Sequence, residues 1–284
     1  MVLQWFPGHM AKTRRLITDS LKLVDVAVEL VDARLPLSSR NPEIDRIVGN
    51  KPRMLVLNKA DIADSDANRR WTDYFEQKGI CTLLADSLSG NGLKGFDNAI
   101  ETVLADKFEH ERQKGIQRRP VRMLVVGIPN VGKSSFINRL AGRSAAKTGD
   151  RPGVTTAKQW IRLAGKYELL DTPGILWPKF EDAEVAKRIA YTGGIKDEIM
   201  DVEELAFYLV GFLRENYPNM LAARYKLSEE DMSAVDDYDL IGVIGRKRGC
   251  IVSGGNVDMF RTSNLVLDEF RAAKIGKITL ELPR

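Results

Sequence analysis

The sequence predicts an α/β fold, a largely parallel sheet whose strand order has been rewired by circular permutation, followed by a small all-helical domain. Three observations predict it. Short apolar runs of β-forming residues alternate with helical patterns through Leu104, as parallel α/β architecture requires. A glycine-rich turn, Gly127-Ile128-Pro129-Asn130-Val131-Gly132-Lys133-Ser134, lies between a strand pattern and a helix pattern, yet the tetrapeptide that should follow it, Asn58-Lys59-Ala60-Asp61, lies upstream. After Trp177-Pro178 the alternation stops and helical patterns take over. The expected domains are therefore 1–178, α/β, and 179–284, helical.

Taken in order, Lys12 to Leu23 reads as a helix with Leu16, Ile17, Leu21 and Val24 inward and its lysines and arginines outward. The outward face has two readings, a solvated surface or an RNA-binding arm. The strand Met54-Leu55-Val56-Leu57 delivers Asn58-Lys59-Ala60-Asp61 to a loop at a strand's carboxyl end, where open α/β sheets bind ligands. Ile80-Cys81-Thr82-Leu83-Leu84 is a further strand, ahead of Asp86-Ser87-Leu88-Ser89-Gly90. Asp106 to Pro120 is charged and poor in apolar residues, so it reads as the bridge that permutation needs between the sheet's former end and its former beginning, with His110 in solvent. Arg122-Met123-Leu124-Val125-Val126 is the strand that feeds the glycine turn, Ser134 to Leu140 has helical spacing, and Tyr167-Glu168-Leu169-Leu170 runs into Asp171-Thr172-Pro173-Gly174. In the second domain Asp201-Val202-Glu203-Glu204 resembles a capped helix start, with Leu205, Leu209, Phe212 and Leu213 as its apolar stripe. A second helix from about Val257 to Ala273 is expected to turn Phe260, Val266, Leu267 and Phe270 into the core. Arg246, Lys247 and Arg248 follow the apolar stretch Leu240 to Ile244, between Gly245 and Gly249, and are expected to be displayed at a helix end.

The motifs carry specific chemistry. Gly127 and Gly132 permit backbone approach that a side chain would block, and the turn from Asn130 through Val131, Gly132 and Ser135 exposes amides at a helix N-terminus, where phosphate oxygens bind. Lys133 is expected to reach the β- and γ-phosphates, with a catalytic as well as a binding role, and Ser134 to ligate Mg²⁺. Asp171 is expected to hold Mg²⁺ through water, and the Gly174 amide to sense the γ-phosphate. In the loop Arg151-Pro152-Gly153-Val154-Thr155-Thr156, Thr155 is expected to complete the magnesium shell. Asp61 selects guanine: its carboxylate accepts from both N1–H and the exocyclic amine, whereas adenine presents an acceptor at N1. Sites built on such bonds discriminate by roughly 10⁴-fold or more. Ser87 and Leu88 are expected to support the base, Leu88 through its backbone amide, since its side chain stands where an alanine is usual.

The motif order runs base reader, base support, phosphate loop, threonine loop, metal aspartate. Together with Trp5-Phe6-Pro7-Gly8-His9-Met10 at the start, Asp32-Ala33-Arg34-Leu35-Pro36, and Arg246-Lys247-Arg248-Gly249-Cys250 near the end, this order resembles the ribosome biogenesis GTPase A family of circularly permuted GTPases over nearly the whole chain. The resemblance implies a circularly permuted Ras-like P-loop GTPase domain, GTP/GDP and Mg²⁺ as ligands, and an RNA-contacting C-terminal domain. It also implies a role on the maturing large ribosomal subunit, with rRNA and ribosomal proteins as partners and departure on GTP hydrolysis. Asn130 resembles the asparagine that binds K⁺ in related GTPases. Ile175 stands where Ras-like enzymes place the glutamine that orients water, so turnover alone is expected to be slow and stimulated by the subunit. His9, on a Pro-Gly turn, and a K⁺ held at Asn130 are the two candidates to make up for it. The loop after Asp171 leads into the second domain, so nucleotide state is expected to reorient that domain, unless the link is a passive tether. A switch that reads a protein partner without RNA remains the alternative function; Asp61 disfavours ATP.

Composition agrees. The chain has 284 residues, 43 basic against 39 acidic, for a net charge of +4. That suits an RNA partner without demanding one. Its two cysteines, Cys81 and Cys250, share no metal-ligand spacing, which fits a reducing compartment. The longest uncharged apolar run, Leu205 to Leu213, is far short of the roughly 20 residues a membrane span needs. No targeting segment precedes Trp5, so the expectation is a cytoplasmic monomer with no membrane or DNA partner.

Overall fold

The computed structural model describes residues 15, 17–42, 44–142, 160–163, 165–170, 182–195, 201–233 and 236–283. Six strands form one sheet: β1 (Val26–Asp32), β2 (Arg53–Asn58), β3 (Cys81–Ala85), β4 (Val121–Val126), β5 (Trp160–Leu163) and β6 (Tyr167–Leu170), in the order β3-β2-β1-β4-β6-β5. Every neighbouring pair is parallel except β5 with β6. The strand that feeds the glycine turn, β4, is fourth in the chain yet lies between β1 and β6. The first three strands extend from it on one side and the last two on the other, which is the arrangement a circular permutation produces. Because β3, β2, β1 and β4 run parallel, the loops that follow Ala85, Asn58, Asp32 and Val126 open at one edge of the sheet.

All seven residues of β1 are buried, so both faces of the sheet's centre are covered, and five of the seven are apolar. Ala27 packs with Ile17, Leu21, Val24, Ile44, Val48, Leu124 and Leu170. Val31, Leu55 and Leu57 pack with Ala67, Trp71 and Phe75 of the helix Ser65–Gln77. Glu29 and Asp32 are the two charged residues within β1, and Glu29 lies at its middle. Burial pushes its carboxyl up, while a two-pronged bond from Arg40, at 3.1 and 3.0 Å, opposes the rise. Of the predicted first helix, residues 15 and 17–21 are helical, with Ile17, Leu21 and Val24 buried as expected, while Leu16 lies outside the described residues. The predicted bridge is partly regular: Ala105–Gln113 is helical because Phe108 gives that charged stretch one apolar anchor, while His110 is exposed.

The chain divides into two compact units, Met1–Ala183 with Thr279–Arg284, and Glu184–Ile278. The second unit therefore stops short of residue 284, and the last six residues return to the first. Within it, Val202–Asn216 starts on Asp201, whose carboxylate accepts from Glu203 N at 3.0 Å and Glu204 N at 3.1 Å. This helix packs against Asp237–Arg248 and Met259–Arg271. One expectation fails here. Phe260 is 59% exposed, because the buried stripe of its helix begins at Thr262 and Ser263 and Phe260 lies a turn ahead of it. Leu205, Leu209, Leu213, Val266, Leu267 and Phe270 are buried; Phe212 is only half-buried. Among the described residues no helix is long and apolar enough to cross a membrane.

Candidate nucleotide site

The glycine turn lies between β4 and the helix Lys133–Ala141. Gly132 caps that helix with φ +93°, a conformation that side-chain-bearing residues rarely adopt, and a Cβ there would collide with the Asn58 side-chain nitrogen. Gly127 is required by proximity: a Cβ would lie 2.5 Å from the Leu30 carbonyl oxygen of β1. Val131 is buried, and Phe136 N closes the first helical turn onto Gly132 O at 2.9 Å. Ser134 and Ser135, half-buried, occupy that first turn, where backbone N–H groups have no intrahelical partner. Lys133 Nζ donates to the Gly127 and Ile128 carbonyls at 2.9 and 2.8 Å, so its ammonium is held over the turn it is meant to serve. Asn130 has φ +62°, a left-handed conformation that asparagine tolerates better than most residues.

The two predicted halves of the site meet through Asn58. Its side chain donates to Val131 O at 2.7 Å and accepts from Ser87 N at 3.0 Å and Ser87 Oγ at 2.7 Å. One buried amide thus ties base reader, base support and phosphate loop together. Lys59 follows in left-handed backbone (φ +61°), with its ammonium 3.0 Å from Asp32. Asp61 is exposed, and its carboxylate has no hydrogen bond or ion pair among the described residues. That leaves both its oxygens available as acceptors.

Leu88 differs from expectation. Its amide donates to Asp86 Oδ1 at 2.8 Å in a turn that Ser89 N also joins at 3.2 Å, so the amide read as available to the base is held by Asp86. Burial would raise the Asp86 carboxyl, but the bonds from Ser89 and Leu88 outweigh it and hold it below the usual carboxylate range. His9, Thr155, Asp171, Gly174 and Ile175 lie outside the described residues. Sequence reasoning did not connect Asp32 with Lys59, although Asp32-Ala33-Arg34 puts a carboxylate at the carboxyl end of β1, beside β2 and the loop that carries Lys59.

A phosphate loop and a guanine reader brought to one sheet edge by a chain that visits them in inverted order define a circularly permuted P-loop GTPase. The family model described as 50S ribosome-binding GTPase matches residues 122–235. The chain is 53% identical to ribosome biogenesis GTPase A of Bacillus cereus, covering 100% of this chain and 95% of that one. It is 31% identical to mitochondrial ribosome-associated GTPase 1 of Mus musculus, over 99% of this chain and 90% of that one. Among solved structures, YlqF of Thermotoga maritima bound to GNP superposes with a TM-score of 0.66 at 26% identity, covering 96% of this chain and 99% of that one. The GDP-bound form of YlqF gives 0.66 at 27% identity, over 95% and 99%. The chain belongs to the ribosome biogenesis GTPase A family. It is a GTPase that binds GTP and GDP and acts in ribosome assembly.

Proposed function

We propose that the protein binds the maturing large ribosomal subunit in its GTP state, through rRNA and ribosomal proteins, and leaves when GTP is hydrolysed. The observation that carries this reading is the Asn58 junction, which joins the guanine-reading loop, the Ser87 loop and the glycine turn into one guanine-nucleotide site, as a GTP-to-GDP cycle requires. The name of the matching family model, a 50S ribosome-binding GTPase, supports the choice of subunit.

In this reading Asp61 pairs with the guanine N1–H and amine, and Asn58, Lys59 and Ser87 shape the base pocket. The amides from Asn130 to Ser135 and the Lys133 ammonium neutralise phosphate charge. Ser134 is the described residue that fits Mg²⁺, a hydroxyl in the first turn of the helix after Gly132; Thr155 and Asp171 would complete the shell, and the metal would offset charge developing on the phosphates. Asn130 would hold K⁺, and His9 would position water in place of the glutamine absent at Ile175. The helical unit Glu184–Ile278 would contact rRNA. A cytoplasmic monomer fits this role.

The test is sedimentation of the protein with ribosomal subunits in a GTP analogue, in GDP and without nucleotide. Co-sedimentation with the large subunit in the analogue, lost in GDP, is the expected result. Absence of any nucleotide-dependent subunit binding would favour a switch that reads a protein partner instead.

A further inference from the structure

The loop after β1 is more heavily braced than a connecting loop requires. Asp32 is 2% exposed, and it accepts from Arg34 N at 3.0 Å, Arg34 Nε at 2.9 Å and Arg34 Nη2 at 2.8 Å. That two-pronged pair already neutralises the carboxylate and, with the Arg34 amide, occupies Oδ1 twice and Oδ2 once, leaving one acceptor site on Oδ2. A second cation, the Lys59 ammonium, nevertheless lies 3.0 Å from Asp32 Oδ2. Burial alone would raise the carboxyl, but Arg34 and Lys59 outweigh it and hold it far below the usual carboxylate range. Structural neutrality needs only Arg34, so the contact with Lys59 serves Lys59. That residue stands in left-handed backbone within the base-reading tetrapeptide, a conformation that persists only when its surroundings impose it. Ala33 N donates to Asn58 O at 2.8 Å and binds the same loop to the residue just before Lys59.

The end of the chain grips this loop. Glu281 Oε1 accepts from Leu37 N at 2.6 Å and Ser38 N at 2.7 Å, and Ser38 Oγ donates to Glu281 Oε2. Leu280 N donates to Arg34 O at 2.7 Å, and Trp71 Nε1 to Glu281 O at 2.9 Å. On the other side of the base-reading tetrapeptide, Asp64 N donates to Thr279 Oγ1 at 3.1 Å. Three consecutive C-terminal residues therefore hold the segments that flank Asn58-Lys59-Ala60-Asp61 both upstream and downstream. Thr279 follows directly on Ile278, so the chain gives the helical unit a second covalent connection to the nucleotide unit.

We propose that Asp32 is a positioning residue for the guanine site, acting through Lys59, and that Thr279–Glu281 form a clasp that fixes the Asp32 loop and thereby sets guanine-nucleotide affinity. The inference rests on the reading of Asn58, Lys59 and Asp61 as the guanine site. Because the clasp reaches the base side and not the glycine turn, its loss weakens binding without touching the chemistry at the γ-phosphate.

The experiment uses the full chain and steady-state GTP turnover, in which slow chemistry makes KM report nucleotide affinity. Glu281→Ala is expected to raise KM for GTP about tenfold, the equivalent of one lost charge-assisted contact, with kcat changed by less than twofold. Glu281→Gln keeps an oxygen facing Leu37 N and Ser38 N and is expected to restore most of the affinity. Asp32→Asn is expected to raise KM in the same direction. A role in global stability alone would lower kcat through loss of folded enzyme and leave KM unchanged, which would overturn the proposal. Asp61→Asn, assayed alongside with GTP and XTP, separates the two levels. If it exchanges guanine for xanthine preference while Glu281→Ala leaves KM unchanged, the clasp alone is wrong; if it keeps tight GTP binding, the guanine-site reading falls and the clasp with it.

Discussion

Asn58 and Val131, 73 positions apart in the chain, are joined by a 2.7 Å hydrogen bond from the Asn58 side-chain amide to the Val131 carbonyl. Permutation has inverted the order of the base reader and the phosphate loop in sequence, and this bond is where the fold brings them together. The other end of the same amide, Oδ1, accepts twice from Ser87. With Asn58 2% exposed, none of these partners has water as a substitute.

Asn58→Ala should therefore cost both stability and binding. It strands the Val131 carbonyl and the Ser87 donors in a dry site, and each buried orphan costs about 1–3 kcal/mol. GDP affinity is expected to fall at least tenfold, with a lower urea midpoint for the nucleotide-free protein. GDP titration at a temperature where the variant is folded checks the first, and urea unfolding the second. Undiminished affinity would mean that the two loops keep their places without the amide.

Asp61 is exposed and has no partner among the described residues, so it can be altered without disturbing the fold. Asp61→Asn is expected to exchange guanine for xanthine preference, because the new amide meets the xanthine carbonyl that a carboxylate repels. Competition between GDP and XDP reads the exchange, and the unfolding midpoint should move by less than about 0.5 kcal/mol equivalent, as for an ordinary surface change.

The loops at strand ends were legible because their signals are local: glycines where a Cβ would collide, an N-K-x-D tetrapeptide after an apolar strand, and a helix pattern behind each. The order of the motifs even disclosed the permutation. What stayed hidden was fixed by distant contacts. Glu281 reaches Leu37 across 244 positions, and nothing in a terminal Leu-Glu-Leu-Pro signals a carboxylate aimed at two backbone amides. The amide of Leu88 was misread for a related reason: Asp86 two residues earlier competes for it through an Asp-turn that composition suggests but does not require. Phe260 was misread as core because helical spacing identifies a face and not where along the helix its cover begins.

Potassium is tested by exchange of salts. If Asn130 helps to hold the ion beside the phosphates, GTP turnover should be faster in K⁺ than in Na⁺ at equal ionic strength, and Asn130→Ala should abolish the difference. Because the ion would offset charge that develops in the transition state, the effect belongs in kcat more than in KM. Equal rates in the two salts for the unaltered protein would remove potassium from the mechanism.

The last prediction concerns the three cations at the end of Asp237–Arg248, which the structure does not leave equivalent. Lys247 is 2.8 Å from Asp231 and donates to Lys226 O at 2.7 Å. Arg248 donates to Glu269 Oε1 at 2.5 Å, and Arg224 grips the same carboxylate at 2.9 and 2.6 Å. Arg246 is exposed and makes no hydrogen bond or ion pair among the described residues. If this helix end touches rRNA backbone, Arg246→Ala should weaken subunit binding and flatten the dependence of affinity on salt by somewhat under one unit of log-log slope, with no loss of stability. Arg248→Ala should instead lower the unfolding midpoint, since Glu269 is 5% exposed and loses one of its two cations, and any loss of binding should follow that destabilisation. GTP binding should be unchanged in both variants. Sedimentation across a salt series, paired with thermal unfolding, separates the two residues; an unchanged salt slope in Arg246→Ala would take this helix end out of the RNA interface.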